Sequence, residues 1–535
     1  MTSNSSGRGS SINSGKPGDQ RLTRRRLLLG AAAVGAAAVV RPRFSLAADG
    51  SVLRVRSYGD IQNLDPAFRV SQPDGDVMEC IFAPIAQFKP NVKDWEAVPL
   101  AAKTLKQLDA THIAFELHPG ILYSDGFGEM TAADVKYSFE RIADPNLKAD
   151  YQDDWSALNQ VTVKDKYSGI IEMKEAFAPL WNSTLPTESG IILPQKAFEA
   201  AGGKFTTKPP CQCGPYRIKS WEPKTKLVLE RNPDWKLYKP AFDEIQISPI
   251  EDEKTAELGF ESGDIDFTWT SISSITRYLK QPLKNGKFVR KPSLAYVWMG
   301  MNQDNAALKD LRIRRAIQYA VDRKAVVDAA YLGAAEPSTG IIAPGLPGHR
   351  AANLYSHNVE KAKQLLKEAG AESGLSLTLA ILNKAERLAA AQVVQANLAE
   401  VGVTVEIEPH DSGTFWSLGT EKKGDSWKKV QLILNRFSME PDPSWATVWF
   451  TPDQVGVWNW ERFNNKGFGE LSKEAMGELK NAKRAQIYIK MQNLMEESGD
   501  YVFLTHEAAG VLYSDKIIPA LRPDGVPLLP LFKRA

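Results

Sequence analysis

The sequence predicts an α/β protein, and three observations carry that prediction. Short alternating strands are interleaved with capped amphipathic helices, a strand–helix–strand run occupies residues 375–407, and the chain has 535 residues. At roughly 100 to 200 residues per domain the length corresponds to about three units, that is, two α/β lobes and an extra subdomain.

The elements follow from local pattern. Leu53-Arg54-Val55-Arg56-Ser57-Tyr58 alternates like a half-buried strand, and Asn63-Leu64-Asp65-Pro66 ends it with turn chemistry. Ile113–Leu117 is a strand, Tyr123-Ser124-Asp125-Gly126 a turn, and Thr131 to Ile142 a helix. Thr131 is its N-cap, Asp134 sits at the positive helix end, and Val135, Phe139 and Ile142 form its apolar stripe. Tyr216–Ile218 and Leu227–Glu230 return the chain to sheet. One helix is predicted from Leu311 to Tyr331, closed by Gly333, and another from Asn358 to Gly370. Leu375–Leu379, a helix over 385–400 and Val403–Ile407 then make a βαβ crossover.

Composition narrows the function. The chain carries 66 Lys+Arg against 64 Asp+Glu, but residues 1–48 hold eight basic residues and one acid, so the rest is net acidic by five. Without a clustered basic face, nucleic acid is not an expected partner. Residues 1–22 are Ser/Gly/Asn-rich and predicted to be disordered. Thr23-Arg24-Arg25-Arg26 then precedes fourteen apolar or small residues, Leu27 to Val40, and a small-residue stretch ending Ala47-Ala48. This run is too short to span a core of about 30 Å, and it reads as a secretory signal of twin-arginine type, residues 1–48, cleaved near Ala48. An uncleaved anchor is the alternative. The expected location is the periplasm.

Three cysteines in an oxidising compartment leave one odd thiol if a bridge forms. Cys211 and Cys213 are too close for an unstrained bridge, so Cys80 with one of them, Cys213 foremost, is the candidate disulfide; three buried thiols are the alternative. No metal site and no cofactor are expected, because the six His are scattered and no second Cys pair completes a ligand set. Gly-x-Ser-x-Gly, His-Glu-x-x-His and phosphate-cradling glycine loops do not occur, and an enzyme is not expected.

Six segments resemble the family 5 solute-binding proteins of bacterial ABC importers. They are Asn63-Leu64-Asp65-Pro66; Tyr123-Ser124-Asp125-Gly126 with Thr131 to Ile142; Cys213-Gly214-Pro215-Tyr216; Ser262-Gly263-Asp264-Ile265-Asp266; Arg314-Arg315-Ala316-Ile317 with Ala320-Val321-Asp322-Arg323; and Pro441-Asp442-Pro443. They occur in family order from about residue 53 to 533. The resemblance implies a two-lobe periplasmic-binding-protein-like fold with a hinge and a subdomain inserted in the first lobe. It places lobe 1 at 49–80, 210–290 and 505–535, the insert at 81–209, and lobe 2 at 291–504. It also implies a monomeric receptor that takes a peptide or related solute between the lobes and delivers it to membrane permease subunits. Other readings are a receptor for an opine, sugar conjugate or metal chelate, a secreted hydrolase, and a periplasmic chaperone.

Family peptide binders pair the ligand's amino end with an aspartate in the segment before the Asp-Pro turn. Here that segment is Asn435-Arg436-Phe437-Ser438-Met439-Glu440, and the aspartate position holds Met439. Met cannot neutralise an ammonium, which leaves Glu440 as a substitute or Arg436 as a contact for an anionic ligand. Six of the 13 Trp fall between 416 and 460, a density suited to flat ligand walls. The expected ligand-binding set is Trp269, Tyr296, Trp298, Asn302, Trp416, Asn435, Arg436, Met439, Glu440 and Trp458. Alternation places Tyr296, Trp298 and Gly300 on one face of their strand, with Val297 and Met299 on the other.

Overall fold

A computed structural model describes residues 51–372 and 374–535. The signal segment at 1–48 lies outside the described residues. The alternating stretch near residue 53 forms the strand Val52–Ser57, which pairs in parallel with Glu244–Pro249 and, at Val55, with Phe267–Thr270. This begins an 11-stranded mixed sheet. From one edge its main path runs Tyr216–Glu222, Lys226–Arg231, Glu244–Pro249, Val52–Ser57, Phe267–Thr270, Tyr501–Ser514, Gly286–Met301, Leu432–Ser438, Leu375–Leu382, Val403–His410. A separate four-stranded antiparallel sheet joins Ala102–Gln107, His112–Leu117, Ser168–Met173 and Leu158–Val163.

Two long strands carry the main sheet across the molecule. Gly286–Met301 and Tyr501–Ser514 run antiparallel from Gly286↔Ser514 to Gly300↔Tyr501, with register shifts at Pro292/Tyr296 and Val297/Trp298. Pro292 has no N–H to give the ladder, which accounts for a break there. Where Val52–Ser57 and Phe267–Thr270 lie, the core contains Leu53, Phe82, Phe139, Tyr216, Phe267 and Phe532. Beyond the bulges two other cores flank the sheet. Val297, Met299, Ile317, Leu379 and Leu432 share one, and Tyr296, Trp298, Phe450, Met491 and Phe503 share the other.

Most predicted elements form where their caps place them. The helix Ala132–Ala143 starts at Thr131, whose N–H donates to Asp134 Oδ2 at 2.8 Å. Val359–Glu368 starts at Asn358, whose Oδ1 accepts from Lys361 N at 2.9 Å. Leu375–Leu382, Ala385–Glu400 and Val403–His410 form the parallel crossover, with Leu375 opposite Val403. The single helix expected over 311–331 is instead two, Leu311–Ala320 and Arg323–Tyr331. Val321 turns extended, and Asp322 caps the second helix by accepting from Ala325 N at 3.1 Å. The break turns buried Arg323 toward the Phe503 and Tyr355 carbonyls, at 3.1 and 3.0 Å.

The candidate disulfide is not formed: Cys80, Cys211 and Cys213 are all buried free thiols. Cys80 lies in the helix Gln72–Ile81, and its Sγ turns back along that helix to donate to the Asp76 carbonyl at 3.2 Å. Cys213 lies alongside through its backbone, its N–H donating to Ile81 O at 2.9 Å. Burial raises all three thiol pKa values, that of Cys211 to about 12.

The Asp-Pro turn after Leu432–Ser438 is held by a buried ion pair. Arg484 donates to both oxygens of Asp442, at 2.6 and 2.8 Å, and to Tyr488 Oη at 3.0 Å. Burial would raise the Asp442 pKa, but the guanidinium and Ser444 outweigh it and hold it low. Removing one partner strands the other charge in the interior. Arg484→Met should therefore lower unfolding free energy by about 3–5 kcal/mol in urea titrations, and Asp442→Asn combined with Arg484→Met should recover part of that loss.

Candidate functional site: a cleft along the strand Leu432–Ser438

Leu432–Ser438 is paired along one edge throughout its length, with Asn435 opposite Trp298 and Phe437 opposite Tyr296. On its other edge it pairs with Leu375–Leu382 only from Leu432 to Leu434. From Asn435 to Ser438 that second edge carries no strand partner among the described residues. A strand edge of this kind is a template for an added extended segment.

Two cavities lie along this stretch. One, of about 410 Å³, is lined by Trp416, Arg436, Phe437, Ser438, Trp449 and Trp458. The other, of about 280 Å³, is lined by Ile272, Leu382, Lys384, Glu386, Arg387, Phe415, Trp416, Leu434, Asn435, Arg436 and Glu507. Trp416 and Arg436 border both. The walls are large aromatic rings left partly open: Trp416 is 37% and Trp458 38% exposed. Phe437 is stacked with Trp416 at 6.2 Å and meets Trp458 edge-on at 6.0 Å. Partly buried rings around a concavity, with a few convergent polar groups, are the usual makeup of a small-molecule site.

The polar groups gather in the second cavity. Glu507 is shared by two guanidinium groups, accepting from Arg387 Nη2 at 2.6 Å and from Arg436 Nε at 3.1 Å, while Tyr331 Oη donates to it at 3.1 Å. Burial alone would raise the Glu507 carboxyl; the Arg436 and Arg387 charges outweigh it and hold it below the usual range. Asn435 is 1% exposed, and its amide is oriented by its Oδ1, which accepts from Arg436 N at 2.8 Å. This leaves its Nδ2 without a hydrogen-bond partner. An orphaned buried donor is costly unless a ligand or water satisfies it.

The predicted residues divide between wall and support. Trp416, Asn435, Arg436 and Trp458 line the cavities. Tyr296 and Trp298 are 1% and 0% exposed and belong to the core beneath Phe437, with Trp298 meeting Phe437 edge-on at 4.9 Å. The predicted alternation is present, but both faces of that strand are covered. Asn302 is buried too, its Nδ2 donating to the Trp427 and Val430 carbonyls at 3.1 and 3.0 Å. Met439 is a core residue, 5% exposed, its N–H donating to Leu294 O at 3.1 Å. Trp269 packs edge-on against Phe267 at 5.6 Å and is not among the residues lining either cavity. Glu440 is partly exposed, 3.4 Å from Arg69. Phe437, Lys384, Arg387 and Glu507 were not singled out from the sequence, and Trp449 only as one of the six clustered Trp. Trp449 sits in the Trp-rich stretch, which was its available signal; Arg387 and Glu507 lie 120 residues apart with no motif linking them.

A buried carboxyl supports the aromatic floor. Trp298 Nε1 donates to Glu461 Oε1 at 2.7 Å, and Gly300 leaves the room Glu461 occupies, since a methyl group there would overlap its carboxylate. Burial raises the Glu461 pKa to about 7.

The sequence of this chain matches the model of the bacterial extracellular solute-binding proteins, family 5, over residues 96–456, and the chain belongs to that family. Among curated relatives, the glutathione-binding protein GsiB of Pectobacterium atrosepticum is 25% identical over 498 residues, covering 91% of this chain and 94% of the relative. Among solved structures, HbpA2 from Haemophilus parasuis superposes with a TM-score of 0.79 at 20% identity, over 90% of this chain and 100% of that one. DppA from Helicobacter pylori, in complex with the peptide STSA, gives 0.69 at 21%, over 90% and 97%. The fold is accordingly that of the two-lobe periplasmic binding proteins.

Because the folded Glu461 pKa lies above its ordinary value, its contribution is intact below about pH 4.5 and is lost as pH rises through about 7. Glu461→Gln keeps an acceptor for Trp298 and removes the titration. The stability difference between wild type and Glu461→Gln should shift by about 3 kcal/mol in favour of the variant from pH 5 to pH 8, read from denaturation midpoints at each pH.

Proposed function

We propose that this protein is the exported receptor of an ABC importer, which captures a peptide or related solute in the cleft along Asn435–Ser438 and presents it to membrane permease subunits. The observation that carries this reading is the strand edge left open beyond Leu434, directly beside an aromatic-walled cavity. An extended ligand backbone adds to that edge by main-chain hydrogen bonds, and its side chains enter the pockets of Trp416, Trp449 and Trp458. Closure of the lobes then signals cargo to the permease, because only a ligand that binds the closed form better shifts the equilibrium. Family membership supports a binding rather than a catalytic role.

The finer reading divides the chain as lobe 1 at 49–80, 210–290 and 505–535, the insert at 81–209, and lobe 2 at 291–504, with residues 1–48 as a cleaved twin-arginine signal. It takes the protein to the periplasm as a monomer. The separate four-stranded sheet within 102–173 supports the insert, and the shared long strands support the hinge.

One observation favours an anionic solute, peptide or opine-like. Lys384, Arg387 and Arg436 line the second cavity against Glu386 and Glu507, one cation in excess, and Asn435 on the same wall keeps an unpaired Nδ2, a lining suited to a carboxylate.

Titration of the mature protein with a panel of short peptides, glutathione and opines should give saturable quenching of Trp fluorescence for at least one of them, without turnover. Trp416→Ala together with Trp458→Ala should weaken that binding by about ten- to a hundredfold, in line with the cost of removing aromatic anchors. Asn435→Leu should weaken carboxylate-bearing ligands more than their amides. No saturable binding across the panel, or hydrolysis of a bound peptide, would sink the proposal.

A further inference from the structure

The second cavity of the cleft meets a helix start that no side chain caps. Lys384, Glu386 and Arg387, the N-cap and first turn of the 16-residue helix Ala385–Glu400, line this cavity. Lys384 makes no capping hydrogen bond, where Ser, Thr, Asp or Asn ordinarily accepts from the free N–H groups. Such a helix end carries partial positive charge and favours an anion. On the same lining Asn435, 1% exposed, holds its unpartnered Nδ2. Glu507 is taken up by Arg387 and Arg436, and with Lys384 set against Glu386 the lining keeps one cation in excess.

The first cavity differs in kind. Trp416, Phe437, Trp449 and Trp458 wall it, and its two polar lining residues satisfy one another, Arg436 Nη1 donating to Ser438 Oγ at 2.9 Å. The hydroxyls of a sugar would go short of partners there, and a cation over the rings would meet the Arg436 guanidinium. A bulky apolar group meets neither obstacle. Trp416 and Arg436 border both cavities. Asn435 on one and Phe437 on the other are two residues apart, roughly 7 Å along a strand.

We infer that the two cavities are one bipartite site for an amphipathic carboxylic acid, whose carboxylate caps the helix Ala385–Glu400 beside Lys384 and Asn435 while its bulky ring lies among Trp416, Trp449 and Trp458. The link between the two groups crosses Arg436. Lys384 and Trp458 are then specificity-determining residues, one for each end of the solute. The inference rests on the receptor reading above and narrows its solute to molecules that carry both groups. Without the carboxylate, the helix end and Asn435 Nδ2 stay unsatisfied; without the ring, the aromatic walls stay in contact with water.

The test is calorimetry of the mature protein with N-acetyltryptophan, which carries both groups, N-acetyltryptophanamide, which lacks the charge, and N-acetylglycine, which lacks the ring. N-acetyltryptophan should bind at least tenfold more tightly than either of the others, and a smaller preference over either one overturns the inference. Lys384→Gln and Trp458→Ala then assign the two ends, and both alter exposed side chains, so the fold is kept. Lys384→Gln should cut the preference for acid over amide at least threefold and leave the preference for the ring unchanged. Trp458→Ala should do the reverse. Preferences that neither variant moves place the ligand elsewhere and overturn the inference. If short peptides, glutathione or opines bind and N-acetyltryptophan neither binds nor displaces them, the inference fails while the receptor reading stands. If no solute binds at all, both fail.

Discussion

The antiparallel pairing of Gly286–Met301 with Tyr501–Ser514 is the constraint on which the rest of the structure depends. One end of this ribbon borders the core of Leu53, Phe139 and Phe267, and the other end separates two further cores. Main-chain hydrogen bonds are directional and cannot be left unmade in the interior, so the ribbon keeps both halves of the sheet in register. Its interruption falls between the cores, at Pro292 and the bulges, where the ladder has fewest bonds to lose. A connection that is rigid along each half and broken between them is suited to a hinge.

Charge is distributed around the cleft on the same logic. The strand Leu432–Ser438 is anchored at its far end by the Asp442–Arg484 pair and supported from below by Trp298 on Glu461. Both are buried, and both keep the backbone of Asn435–Ser438 in a defined line. On the open side, carboxylates meet guanidinium groups: Glu507 with Arg387 and Arg436, Glu440 with Arg69. These pairs set the electrostatic character of the cleft, and beside them the buried Asn435 Nδ2 has no hydrogen-bond partner.

Much of the fold was legible in sequence because its signals are local. Thr131 with Asp134, Asn358, and the alternation at 375–379 and 403–407 each act within a turn or a strand, and each formed the predicted element. The helix over 311–331 was misread because its apolar stripe continues past Val321, while the reason to break there is the buried destination of Arg323, on partners 32 and 180 residues away. The site was read in part. Trp416, Asn435, Arg436 and Trp458 line the cavities, whereas Tyr296, Trp298 and Met439 lie under them. Period-2 alternation assigns a side chain to a face but not whether a second layer covers that face, and here both faces are covered. The cysteines were similarly ambiguous: proximity of Cys80 and Cys213 in the fold does not aim their sulfurs at each other.

The sequence by itself determined the α/β class, the capped helices, the crossover at 375–410, the absence of familiar catalytic motifs and the family, since all of these depend on residue type and short spacing. Only the tertiary structure decided which tryptophans are wall and which are core, that the three cysteines stay free, that the cleft strand has an open edge, and that Arg69 meets Glu440 from 371 residues away. Those features depend on which distant segments share a boundary, and burial, edge pairing and ion pairing are properties of that boundary rather than of any stretch of chain.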